Sequence, residues 1–122
     1  MSDPADVLAD LRAEGDELDA IVSESSEESW RLATPAPRWS VAHQIAHLAW
    51  TDRAALLAVT DAEGFAAEVE KALASPERFV DDGAEEGAAL PPAELLARWR
   101  EGRRLLEEAL RKVPPGGRFP WY

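Results

Sequence analysis

His43 and His47 are the only histidines in the chain, and they stand four residues apart. On an α-helix that spacing puts both on one face, with Cβ atoms about 5–6 Å apart. A neutral imidazole is a common ligand for zinc and other divalent ions, so a pair placed this way can address one metal. The same spacing also suits solvated or helix-capping histidines, and that reading stands beside the metal one. His43 is followed by Gln44, not glutamate, so the helical zinc-protease pattern is absent. The chain has no cysteine, which excludes disulfides, thiolate metal sites and a cysteine nucleophile. Any thiol chemistry needs a thiol from outside. No serine–histidine–acid arrangement or phosphate-binding loop competes.

The element that must position the histidines is legible. Ser40 is a good N-cap, because its hydroxyl can accept a bond from an unpaired N–H of the first turn. No glycine or proline follows until Gly64, so the helix runs to about Val59. At about 100° per residue, Val41, Ile45, Leu48, Ala49 and Leu56 cluster on one side. Ala46, Trp50 and Leu57 form a second apolar strip. His43, Gln44, His47 and Thr51 lie between the two. A surface helix ordinarily has one apolar face and a broad polar back; this pattern instead predicts a polar stripe on a partly enclosed cavity. Asp52 lies ~140° round the helix from His47, so a site built from His43, His47 and Asp52 is the weaker arrangement.

The stretch Pro37-x-Trp39-Ser40-Val41-x-x-x-Ile45-x-His47-Leu48 resembles the second helix of the DinB-like metal-binding four-helix bundles. It is more closely similar to the amino-terminal domain of mycothiol-dependent maleylpyruvate isomerase and its actinobacterial relatives. Leu8 to Asp19, Ile45 to Asp52 and Leu90 to Leu96 carry the same likeness, which covers nearly the whole chain. The resemblance implies that His47 is one of three protein ligands to a divalent metal, usually zinc. The other two would come from a final helix with a Glu-x-x-x-His pattern. This sequence stops at Trp121-Tyr122, where that helix would begin, and supplies no histidine after His47. His43, the weaker metal candidate, stands where relatives often carry an acidic residue. The resemblance further implies mycothiol as a thiol cosubstrate, an electrophilic substrate, and isomerase or transferase chemistry if the site is complete. A non-catalytic helical interaction module, or an inactive truncated product, is the alternative.

Composition agrees with the fold that this implies. One hundred and twenty-two residues suit a single domain, residues 1–122, with a modest core. Alanine is abundant while valine and isoleucine are few, so the fold is expected to be all-α. The net charge of −11 speaks against a nucleic-acid backbone or an anionic membrane as partner. The polar, acidic start Met1-Ser2-Asp3-Pro4 is no secretory signal, and no apolar run approaches transmembrane length. A cytoplasmic location is therefore expected.

Taken in order, Asp3-Pro4 caps a first amphipathic helix over about 4–23, with Val7, Leu11, Leu18, Ile21 and Val22 at helical spacing. Residues 23–38 form a connection with one possible helical turn near Ser26, and Trp30 and Trp39 staple it over the bundle. After the histidine helix, Thr60-Asp61-Ala62-Glu63 reads as a capping box opening a short helix to about Ala74. Ser75-Pro76 opens another short helix, and residues 81–87 read as frayed helix or loop. Pro91-Pro92 opens the last long helix, about 92–112, which Pro114-Pro115-Gly116-Gly117 ends. The expectation is a DinB-like up-and-down bundle of three long and two short helices. The fourth long helix is missing, and its unfilled groove favours homo-oligomers.

Overall fold

A computed structural model describes residues 4–36 and 38–113. The sequence readings for Asp3, Pro37 and the stretch from Pro114 to Tyr122 lie outside the described residues. Six helices are present: α1 (Pro4–Ser23), α2 (Glu27–Trp30), α3 (Val41–Thr60), α4 (Ala62–Ala74), α5 (Phe79–Ala88) and α6 (Pro92–Arg111). The fold is all-α, as expected. Three helices are long and three short, one more short helix than the sequence suggested.

Each boundary has a local cause. Ser26 caps α2 by accepting the Ser29 N–H at 3.2 Å. Ser40 caps α3, as expected. The α3–α4 junction differs from expectation, because the Thr60 hydroxyl donates back to the Leu56 carbonyl at 2.7 Å and so belongs to α3. Asp61 is the cap instead: its N–H donates to Leu57 (2.7 Å), and its carboxylate accepts the Gly64 N–H (3.0 Å). The helix expected from Ser75-Pro76 is first a turn, in which the Ser75 carbonyl accepts the N–H groups of Arg78 at 3.1 Å and Phe79 at 3.0 Å. The 81–87 stretch, read as frayed, is the body of α5. Asp81 and Asp82 in its first turn favour the positive end of the helix dipole, and Ala84 is only 1% exposed.

The core lies where α1, α2, α3 and α6 converge. Val22, Trp30, Ala42, Ile45, Ala46, Leu95, Leu96 and Trp99 form one buried cluster. Burying Leu-sized side chains stabilises by about 1.5–3 kcal/mol each, so this cluster holds α6 on α3. Beside it, Arg100 grips α1 in a two-pronged bond to Asp19, at 2.8 and 2.6 Å. Arg103 lies across Trp99, 4.7 Å from the ring centroid, and reaches Asp16 at 3.3 Å. Gly15 faces Arg103 and leaves the guanidinium the space that a Cβ would fill.

The connection before α3 is pinned. Thr34 donates its N–H and its hydroxyl to the Trp39 carbonyl, both at 2.9 Å, and Val41 donates to Leu32 at 2.9 Å. Ala33 and Ser40 form an isolated antiparallel bridge. Gln44 donates to the Thr34 hydroxyl at 3.2 Å, tying α3 to the loop. Arg38 turns the chain with φ of 68°, a left-handed conformation that costs a non-glycine residue about 1–2 kcal/mol. That turn sets Trp39 on the first turn of the histidine helix.

Candidate functional site

The histidine stripe of α3 lies beneath α5, and the two histidines have different fates. His43 is the third residue of α3. The Ser40 N–H donates to its Nδ1 at 3.1 Å, and the Ser40 hydroxyl lies 2.8 Å from the same nitrogen. The His43 N–H points back to the Ser40 hydroxyl at 3.5 Å, completing a capping box in which imidazole replaces the usual Glu or Gln. With Nδ1 accepting, the hydrogen-bond network assigns the ring proton to Nε2. Nε2 then donates to Glu85 of α5 at 3.0 Å. Both ring nitrogens of His43 therefore already have protein partners.

His47, one turn on, has none for its Nδ1, which is buried without a hydrogen-bond partner. Its ring sits between two indoles. Trp39 lies 5.3 Å away at 50°, and Trp50 lies 6.1 Å away at 14°. α5 fixes both indoles. Asp81 accepts from Trp39 Nε1 at 3.1 Å, and Phe79 meets Trp50 edge-on at 5.2 Å. An aromatic pair in this geometry contributes about 0.5–1.5 kcal/mol beyond its buried area. The sequence expectation of a flanked, partly enclosed histidine is met, and the enclosing groups are aromatic.

Asp52 does not join this site. It points toward α6, where burial pushes its carboxyl up to about 6, against the opposing pull of the Arg103 charge. Among the described residues, no group of three or more His, Asp or Glu side chains could hold a metal ion. Sequence reading missed Glu85 and Asp81, because both lie on a helix whose acidic composition looked like loop. It named Trp39 only as a loop staple. Trp30, named with it, is a core residue at 3% exposure.

An all-helical bundle with a partly enclosed histidine on its second long helix agrees with the DinB-like helical-bundle fold that the sequence resembled. The comparison with known families narrows this: the chain belongs to the family described as the mycothiol maleylpyruvate isomerase N-terminal domain, which it matches over residues 11–122. Two proteins of Mycobacterium tuberculosis, from strains CDC 1551 / Oshkosh and ATCC 25618 / H37Rv, are each 53% identical to it over 122 residues, and both are named as uncharacterised. The match takes in 100% of this chain and 48% of each relative, so the chain spans about half the length of the curated relatives it matches. No solved structure matches it. No helix among the described residues is long and apolar enough to cross a membrane.

Proposed function

We propose that this chain is a divalent-metal-binding domain in which His47 supplies one ligand, with zinc as the metal, in a cytoplasmic protein that handles a small-molecule thiol and an electrophilic substrate. The observation that carries this reading is the buried, unpartnered Nδ1 of His47 between Trp39 and Trp50. An orphaned buried polar atom is costly, about 1–3 kcal/mol, unless something else satisfies it. A metal at this ring would satisfy it directly, or would fix the ring's orientation through the other nitrogen. His43 is the weaker candidate, because it would have to release Ser40 or Glu85.

The residues fit a metal in this one respect and do not complete its coordination. The remaining donors would come from outside the described residues. The family's description supplies mycothiol as the thiol of this reading, and a bound metal ion would favour that thiol's deprotonated form. The chain's own part is to hold the imidazole rigid between two indoles and to shield it from water, while the Glu85–His43 bond anchors α5 above it. Isomerase or transferase chemistry follows for the longer protein.

A second reading, a helical interaction module or self-associating domain, has its own support. Val7, Ile21, Leu32 and Leu48 are 55%, 61%, 61% and 38% exposed, apolar surface that a partner could cover.

Zinc titration calorimetry on the wild type, His47→Ala and His43→Ala tests the first reading. Weak binding is expected, because catalytic zinc takes three protein ligands. It should vanish in His47→Ala and persist in His43→Ala. Equal loss from both would favour a local two-histidine site. No binding by any of the three would leave the interaction module as the better description, and sedimentation should then show dimers.

A further inference from the structure

Trp50 also lines a cavity of about 370 Å³ between α3, α4 and α5, which His47 does not line. It is within the range that holds small organic ligands. Its apolar floor includes Ala54 and Leu57, and Trp50 and Phe79 wall it edge-to-face. Gly83 makes the wall possible: a Cβ there would stand 3.2 Å from the Trp50 ring, so glycine lets α5 lie flat against the indole.

The charges at the mouth are unbalanced. Lys71 is already paired with Glu68 at 3.2 Å. That leaves Arg53 from α3, and Asp82 and Glu86 from α5. Asp82 and Glu86 are four residues apart on one helix face, an arrangement in which like charges repel. Neither has an ion pair with any described residue, and neither has Arg53. One cation and two carboxylates thus line this apolar-floored cavity without neutralising one another. A simple anion would meet both carboxylates, and a simple cation would meet Arg53. A molecule carrying both charges on an apolar body meets all three groups at once.

We propose that this cavity binds a small zwitterion, an ammonium and a carboxylate on an apolar or aromatic body, with the ammonium at Asp82 and Glu86 and the carboxylate at Arg53. His47 does not line this site, and the Trp50–Phe79 pair stands beside both.

The test uses the 122-residue chain with its indole N–H groups followed by NMR, the Trp50 signal being assigned through Trp50→Phe. L-Phenylalanine is the zwitterionic probe, and phenethylamine and 3-phenylpropionate are its two half-charged counterparts. L-Phenylalanine should shift the Trp50 signal saturably, with a dissociation constant in the millimolar range or below. Each half-probe should bind at least tenfold more weakly. Arg53→Gln and the double variant Asp82→Asn/Glu86→Gln should each weaken L-phenylalanine at least tenfold. Glu70→Gln, which removes an exposed charge from α4 outside the cavity, should leave binding unchanged. The charged positions substituted are all exposed, and circular dichroism checks the folding of every variant. No saturable shift, half-probes that bind as well as the zwitterion, or equal weakening by Glu70→Gln would each overturn the proposal.

Discussion

α5 and α6 both lie against α3, and they cover it with different chemistry. α6 presents Leu95, Leu96 and Trp99, all buried, to the side of α3 that carries Ile45 and Ala46. α5 buries one alanine, Ala84, lays Gly83 and Gly87 close against Trp50 and Ala46 of α3, and is tied down by an aromatic contact to Trp50, a carboxylate on His43 and a carboxylate on Trp39 just before α3. The α6 side is held by apolar burial, which is insensitive to salt and direction. The α5 side is held by directional contacts made largely at the surface. Hydrogen bonds of that kind contribute about 0.5–1.5 kcal/mol net, so α5 is the more easily displaced cover, and it is the one over the candidate site.

That contrast can be broken first from the α6 side. Leu95 is 1% exposed, and Leu95→Ala should cost about 2–5 kcal/mol. Chemical denaturation should show a lower midpoint for the whole bundle. If the loss stayed below about 1 kcal/mol, α6 would not be the anchor described here.

Gly87→Ala probes the α5 side. The new Cβ would fall 2.5 Å from the Cβ of Ala46 and 3.3 Å from its Cα. Neither atom can move without shifting α3, so α5 must lift. A loss of about 1–3 kcal/mol is expected. Near-ultraviolet circular dichroism from Trp39 and Trp50 should change more than the helical signal does. A loss of both signals together would show that α5 and α6 unfold as one unit.

A smaller effect, of opposite sign, is expected at Asp52. Its folded-state value, about 6, lies above the ordinary 3.8, so the fold favours the neutral acid. Below about pH 3.8 the group costs nothing. The cost builds as pH rises from about 3.8 to about 6 and is complete above that. After allowance for solvent screening, it amounts to about 1 kcal/mol. Asp52→Asn should therefore be more stable than the wild type by about that much at pH 8, and the difference should disappear at pH 4. A loss of stability at pH 8 would mean that the attraction to Arg103 outweighs burial.

The smallest effect belongs to the loop that carries Trp39. Arg38→Gly should stabilise by up to ~1 kcal/mol, because glycine adopts a positive φ without strain. Thermal melts of the variant and wild type measure it directly.

The same contrast explains what could be read from the sequence. α6 was legible because Leu95, Trp99 and Leu106 recur at helical spacing and Pro91-Pro92 marks the start. Ser40 was legible because a cap is a local device. α5 was not: two glycines and four acids in ten residues look like loop, and its helicity comes from packing on α3. The capping box at Thr60 was misplaced by one residue, because Thr60 and Asp61 are both competent caps and only the end of α3 decides between them. The Glu85 partner of His43 lies 42 residues away, beyond any local pattern. The enclosure of His47 was foreseen from its apolar flanks. Trp39 and Trp50 as the enclosing groups required the fold.

The Gly15–Arg103 contact ties together two positions that the sequence holds 88 residues apart. A side chain at residue 15 would land on the guanidinium. Arg103 could swing away only by giving up Trp99, Asp16 and the neighbourhood of Asp19. A shorter residue at 103 would open that space first, whereas the reverse order passes through a crowded intermediate. The two sites therefore behave as one heritable unit with a preferred direction of change: a drifting lineage can lose the arginine and then the glycine far more readily than the glycine and then the arginine.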